Sequence, residues 1–301
     1  MNPLALLRAL RPHQWVKNVF VLAAVAFSYG EVGREHPSDH ADVLRAFEAF
    51  LAFCLGASSI FLVNDVCDVE SDRAHPTKRF RPIAAGEVSV PLAGAASVLC
   101  AAGALALAWL AGDRGFSVVW VLVGYLALNF AYSVALKHLV LVDAFCIAGG
   151  FLLRIEAGGI AAGAQISHWL VLCTLFLALF LALCKRRAEI DLLGDERGNH
   201  RANLREYTLP FLDQMITVLA GVAIVNYTMY TVADETVEKF GSLRLIWSVP
   251  FVVFGIARYM FLVHTSRAGG NPTKVLLGGD ATFVVNALAW AAVVGAALFL
   301  R

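Results

Sequence analysis

Apolar residues in this chain come in long, nearly unbroken blocks, and that blocking limits the possible folds more than any other feature. A helix needs about 20 consecutive apolar residues to cross the hydrocarbon core of a bilayer. Nine such runs can be read, at 16–30, 46–64, 91–112, 116–136, 140–162, 167–184, 212–233, 245–263 and 281–300. The first is short, and the fifth is interrupted by Arg154 and Glu156. A large soluble helical protein would need a polar face on most helices, and residues 170–183 offer almost none. Composition agrees: 59% of the 301 residues are hydrophobic and 16% charged, against about 25% charged in soluble domains. The expected fold is an all-α membrane protein of nine transmembrane helices, forming a single domain over residues 1–301.

The net charge of +1 points to no particular partner, and no nucleic acid is expected. The distribution of charge says more. With the N-terminus inside, most of the 24 Lys and Arg fall on inner connections, which is the bias of membrane proteins oriented by cytoplasmic positive charge. The chain is therefore expected to be multi-pass in the cell membrane, with its N-terminus cytoplasmic and its C-terminus outside. The six cysteines lie in or beside apolar runs without a C-x-x-C pair; they read as small core residues. No cleavable signal peptide is evident. Residues 3–14 read as a short interfacial helix, with Trp15 at headgroup level.

Two inner connections stand out. Residues 64–90 and 185–211 are long, carry both signs of charge, and follow the second and sixth runs. Similar polar loops four runs apart point to a pseudo-repeat, and membrane proteins often build sites where such halves meet. The outer segment 31–45 contains His36 and His40, but Pro37 and the loop setting favour a solvated loop over a metal site.

The second run closes on Asn64, Asp65, Asp68 and Asp72. Asp65, Asp68 and Asp72 share one face if the helix continues. Three carboxylates facing one way repel one another unless a cation lies among them, and hard oxygen ligands at this density suit Mg²⁺. A solvated acidic helix end would be the ordinary alternative. It fits poorly, because Asn64 and Asp65 directly follow apolar residues 60–63, at a depth where acids are costly and usually functional. Lys78, Arg79 and Arg81 follow within one short loop. They serve as positive-inside signals, and they could also neutralise a departing diphosphate together with a metal.

The pattern N-D-x-x-D-x-x-x-D after the second of nine helices resembles the UbiA superfamily of intramembrane prenyltransferases. Arg11-Pro12-x-Gln14-Trp15-x-Lys17-Asn18 and the stretch from Asp72-Arg73 to Gly86 resemble more closely its decaprenyl-phosphate phosphoribosyltransferase branch. Tyr132-Ser133, Leu136-Lys137, Gly150-Phe151-x-x-Arg154 and Lys185-Arg186-Arg187-x-Glu189 extend the likeness over most of the chain. The resemblance implies a bundle around a central cavity open to the cytoplasmic side, capped by loops 64–90 and 185–211. It implies a Mg²⁺-dependent pentosyltransferase that moves 5-phosphoribosyl from 5-phosphoribosyl 1-diphosphate to a polyprenyl (decaprenyl) phosphate and releases diphosphate. In that branch the product leads to the arabinofuranose donor for cell-wall polysaccharide. Self-association is left open.

Aromatic prenyltransferases of the superfamily carry a second acidic motif after the sixth helix, where this chain has Lys185-Arg186-Arg187-Ala188-Glu189-Ile190-Asp191. One acidic and one basic cluster suit a metal-bound diphosphate donor and a second, anionic substrate. The bases serve equally well as membrane anchors, with Glu189 pairing Lys185, and whether Glu189 or Asp191 is a ligand stays open. On the resemblance, Arg154 is expected to contact substrate phosphate, since a charge inside a span faces the bundle interior or a wet cavity. The expected metal ligands are Asn64, Asp65, Asp68 and Asp72, with Glu189 joining the three aspartates in catalysis. Lys17, Asn18, Lys78, Arg79, Arg81, Tyr132, Lys137, Arg154, Lys185 and Arg186 are the expected substrate-binding residues. Asp143 reads as a helix N-terminal charge, and the case for His200, Arg201 and Tyr207 as caps is thin. Two alternatives remain: prenyl transfer from a prenyl diphosphate to an aromatic acceptor, and a transporter or lipid flippase.

Overall fold

Backbone N–H and C=O groups in hydrocarbon must be satisfied within the segment, so apolar blocks of this length fold as helices. A computed structural model of the chain describes residues 3–29, 40–74, 76–111, 114–193, 206–265, 275 and 279–299. Its α-helices are α1 (Pro3–Leu10), α2 (Phe20–Tyr29), α3 (His40–Cys67), α4 (Val69–Ala74), α5 (Val90–Trp109), α6 (Gly115–Val134), α7 (Val142–Ala162) and α8 (His168–Leu193). They continue as α9 (Leu209–Val232), α10 (Asp234–Phe240), α11 (Val249–Thr265) and α12 (Ala281–Phe299). Among the described residues, eight helical segments are long and apolar enough to cross a membrane. They match the second to ninth runs of the sequence. The first run is a 3-10 helix (Pro12–Val19) followed by the ten-residue α2, and residues 30–39 beyond it lie outside the described part.

The chain divides into two compact units. The first comprises residues 1–25 and 38–165, the second residues 26–37 and 166–301. In the first unit α3 packs against α5, α6 and α7. Small residues make this close packing possible: Ala46, Ala49, Ala52, Gly56, Ala57 and Ser59 of α3 are all buried. Ser59 and Ser97 join α3 to α5 by a hydroxyl–hydroxyl bond of 3.0 Å. Apolar side chains such as Val98, Leu99 and Trp120 remain exposed on the outer faces, as lipid-facing side chains do.

At one end of this unit the C-terminus of α3, the N-terminus of α5 and the α6–α7 turn come together. Ile83 and Val88 of the connecting loop are buried with Ala5, Ala9, Leu62 and Ala93, so the loop is plugged against α1, α3 and α5. Gly86 takes a φ of +78°, which lets the chain turn between those two plugs without Cβ strain. In the second unit α8 packs on α9, α11 on α9 and α12, and the Leu243–Ser248 turn on α9 and α12. Arg258, interior to its apolar run, pairs with Asp280 at 2.8 Å, and Asp280 in turn accepts from the Phe283 amide near the start of α12.

Gly158 of α7 lies so close to α2 that an added Cβ would sit 1.8 Å from the Val21 carbonyl oxygen. Gly158→Ala is expected to lower the unfolding midpoint of the detergent-solubilised protein, at the about 1–3 kcal/mol typical of overpacking. Gly94→Ala adds a methyl that meets nothing within 4 Å and is expected to hold the midpoint or raise it slightly, alanine being the better helix former.

Candidate active site

The acidic cluster forms where α3 gives way to α4. Cys67 ends α3, Asp68 is a turn residue, and α4 begins at Val69. Helical spacing nevertheless survives the break: the Asp68 amide bonds the Asn64 carbonyl at 2.9 Å and the Asp72 amide bonds the Asp68 carbonyl at 2.8 Å. Asn64, Asp68 and Asp72 therefore stay stacked one turn apart. Asn64 Nδ2 donates to Asp68 Oδ2 at 3.1 Å.

Each carboxylate has a basic partner, and those of Asp65 and Asp68 include bases from distant parts of the sequence. Arg11 Nη2 donates to both Asp65 oxygens, at 2.5 and 2.6 Å. Arg81 Nη1 bridges Asp65 Oδ1 at 3.0 Å and Asp72 Oδ2 at 2.6 Å. Lys137, carried on the 3-10 turn Leu136–His138, pairs with Asp68 Oδ1. Asp65 and Asp72 are almost wholly buried, at 1% and 2% exposed, so these contacts are made in a poorly screened setting. Burial pushes the Asp72 carboxyl above its usual range, with Arg81 and Lys78 pulling it back. Burial likewise lowers the Arg11 guanidinium from its ordinary value, opposed by Asp65 beside it.

The neighbouring bases differ from one another. Lys78 is half-buried and acts electrostatically on Asp72. Arg79 is exposed, its guanidinium 4.8 Å from the centre of the Phe80 ring. Lys17 and Tyr132 are half-buried. Ser133, next to Tyr132, has the one buried side-chain oxygen among the described residues without a hydrogen-bond partner.

A second buried centre in the same unit surrounds Arg154, 7% exposed on α7. Its Nε donates to Asn18 Oδ1 at 2.7 Å, Nη1 to the Gly150 carbonyl at 2.7 Å, and Nη2 to the Tyr125 hydroxyl at 2.9 Å. The Tyr125 and Phe151 rings flank it at 4.7 and 5.3 Å. Every partner is neutral. Glu156, two residues on, is exposed and gives Arg154 no ion pair. A buried cation held only by dipoles and ring faces keeps much of its attraction for an anion. Asn18 is fully buried and donates in turn to Cys54 Sγ at 3.3 Å, so the sequence-predicted Asn18 positions Arg154.

In the second unit, Lys185, Arg186 and Glu189 lie in the last turns of α8. Arg186 is fully buried and pairs with Glu189, whose other oxygen stands 4.0 Å from Lys185. Arg187 points elsewhere: its Nε donates to Asp213 at 2.6 Å, and His264 approaches the same oxygen at 3.2 Å. Asp191 is exposed. Tyr207 is buried and stacks with Phe211, while His200 and Arg201 lie outside the described residues. Asp143 accepts from the Ala144 amide at the start of α7, as an N-terminal helix charge does.

Sequence reasoning missed three contributors. Arg11 stands in the sequence only as part of a motif, and its nearness to Asp65 appears only in the structure. Tyr125 carries no sequence signal, being an aromatic within an apolar run. Asp213 is likewise unmarked.

The donor set fits a hard divalent cation in part. Asp65 and Asp72 already direct one oxygen each at a single cationic nitrogen, and Mg²⁺ takes few protein oxygens while keeping water and phosphate ligands. Among the described residues no group of three His, Cys, Asp or Glu side chains could hold a metal ion, since Asp68 turns to Lys137 instead.

Residues 19–204 match the UbiA prenyltransferase family. The chain is 39% identical to decaprenyl-phosphate phosphoribosyltransferase of Corynebacterium glutamicum, over 95% of this chain and 84% of that one. It is also 39% identical to the protein of that name from Mycobacterium tuberculosis, over 97% of this chain and 93% of that one. A solved UbiA homologue of Archaeoglobus fulgidus, bound to GPP and Mg²⁺, superposes with a TM-score of 0.72 over 98% of this chain and 99% of that chain at 18% identity; that likeness concerns the fold.

The Arg154 centre makes a quantitative prediction. Asn18→Ala and Arg154→Met are each expected to lower kcat/KM, and the double variant to lose no more than the worse single one. The coupling in such a cycle should be about 1–3 kcal/mol for one buried, charge-assisted contact. Additive losses would mean that Asn18 and Arg154 act separately.

Proposed function

The chain belongs to the UbiA prenyltransferase family, and from that premise we propose that it transfers the 5-phosphoribosyl group of 5-phosphoribosyl 1-diphosphate to a polyprenyl phosphate, releasing diphosphate. It is a multi-pass membrane transferase. The observation that carries the reading is the matched set of buried and half-buried acids and bases around Asp65, Asp68 and Asp72, in a chain similar along nearly its whole length to proteins named for that transfer.

Mg²⁺ is the cofactor that the donor set suits; when bound it supplies positive charge to a diphosphate leaving group. Asp65 and Asp72 are assigned to hold it, and Asn64 and Asp68 would join them only if Asp68 left Lys137. Arg81, Lys78 and Lys137 neutralise charge that develops on the departing diphosphate, with Arg79 at the rim. Lys17 and Tyr132 orient the donor. Fixed charges of this kind act without reorganising as the bond breaks, which is the chief source of such catalysis.

An anionic substrate group is assigned to Arg154 in the first unit. In the second unit the same role falls to Lys185 and Arg186, and Glu189 holds Arg186 in place. A phosphate monoester has its second pKa near about 6 and is largely ionised at neutral pH. The acceptor therefore needs no general base, and positioning with leaving-group stabilisation suffices. The reading takes residues 1–301 as one catalytic domain with nine crossings, the first through α2. It sets the N-terminus and the acidic cluster at the cytoplasmic face of the cell membrane, on the strength of the inner excess of Lys and Arg.

Purified protein given labelled 5-phosphoribosyl 1-diphosphate, polyprenyl phosphate and Mg²⁺ is expected to form a labelled lipid and release diphosphate. EDTA should stop the reaction, and Asp68→Ala should abolish it. A labelled product from prenyl diphosphate and an aromatic acceptor, with none from the phosphoribosyl donor, would replace this reading with prenyl transfer.

A further inference from the structure

Arg11 combines a fixed backbone with a guanidinium set on the most buried carboxylate of the cluster. Its φ of 53° and ψ of 57° lie in the left-handed region, which residues other than glycine seldom enter. The chain on both sides is tied to α3. Ser58 Oγ donates to the Leu10 carbonyl at 2.9 Å, and Trp15 Nε1 donates to Ser58 Oγ at 3.0 Å. The Gln14 amide closes a turn onto the Arg11 carbonyl at 2.9 Å. Such an elbow persists only where its surroundings hold it, and here it delivers Nη2 to both oxygens of Asp65 while the guanidinium lies 5.2 Å from the Phe61 ring centre.

Charge makes that contact conditional. Arg11, Arg81 and Lys137 pair with Asp65, Asp72 and Asp68, and Lys78 also acts on Asp72, so the chain's own bases already meet the charge of the three carboxylates. A divalent cation entering at Asp65 would face the Arg11 guanidinium in a poorly screened site, where like charges repel strongly. A diphosphate arriving with the cation offers planar, bidentate acceptors that suit a guanidinium. We propose that Arg11 is a counterion in exchange. It holds the Asp65 carboxylate in the empty enzyme, yields it to the divalent cation, and turns from its fixed elbow to bind the donor's diphosphate. This rests on reading the cluster as a cation–diphosphate site and is independent of what the diphosphate carries.

Two affinities of the full-length purified enzyme test it: Mn²⁺ binding without donor, followed by electron paramagnetic resonance, and inorganic pyrophosphate binding at saturating Mn²⁺. Arg11→Gln is expected to move them in opposite directions. Mn²⁺ should bind tighter because its competitor is gone, and pyrophosphate should bind about tenfold weaker, the worth of one charge-assisted hydrogen bond. Arg11→Lys should give the same signs with smaller changes and serves if the glutamine variant does not fold. Arg8→Gln cuts only the exposed Arg8–Glu87 pair beside α1 and should change neither. Weaker binding of both ligands, or unchanged Mn²⁺ affinity, overturns the exchange and leaves Arg11 a structural brace or a plain ligand. A wild-type enzyme that binds neither probe overturns the cation–diphosphate reading itself.

Discussion

Carboxylates gathered where a membrane-spanning helix ends, two of them buried, call for positive charge close by, and the first unit is organised to supply it. Taking a carboxylate out of water is costly enough to protonate it unless a cation is near. Arg11 comes from the segment before the first apolar run, Arg81 from the loop after α4, and Lys137 from the α6–α7 turn. Each arrives because something apolar anchors its segment. Ala5 and Ala9 seat α1, and Ile83 and Val88 seat the loop against α3 and α5. The charges and the packing depend on each other: without the plugs the bases would not reach the acids, and without the bases the acids would be unstable at that depth.

A cluster satisfied by its own residues becomes a binding site when its partners are exchanged, and exchange of ion pairs costs less than exposing bare charges to hydrocarbon. The same economy appears on α8, where the fully buried Arg186 is matched by Glu189 and Arg187 by Asp213. Of three consecutive bases, only Lys185 is half-exposed, so their similarity in sequence conceals three different settings.

Much of the fold was legible in the sequence because the physical rule is one-dimensional: apolar length measured against bilayer thickness. The second to ninth runs became helices with ends displaced by a few residues. The largest displacements are at α8, which runs on to Leu193 beyond its apolar run at 184, and at α3, which begins at His40, ahead of its run at 46. The acids were legible too, since an aspartate beside an apolar run has no ordinary reason to be there. Their partners were harder to read. Arg79 and Arg81 look alike in sequence, yet the 3-10 turn Lys78–Phe80 leaves one on Phe80 and sends the other between two aspartates. Arg11 lies 54 residues from Asp65, and its left-handed backbone is not something that an arginine before a proline announces. Expecting Asp65, Asp68 and Asp72 to gather about one point was reasonable from their spacing. In the structure Asp65 and Asp72 share Arg81 while Asp68 pairs with Lys137, although the helical spacing persists through Asp68.

The central claim is that this self-paired cluster is where the donor's diphosphate binds. An experimental structure of the enzyme with Mg²⁺ and 5-phosphoribosyl 1-diphosphate tests it most directly. The account predicts metal density about 2.1 Å from oxygens of Asp65 and Asp72, the diphosphate beside it, and Arg81 moved from the carboxylates to phosphate oxygens. Donor bound elsewhere, with Arg11 and Arg81 still closed on Asp65 and Asp72, would contradict it.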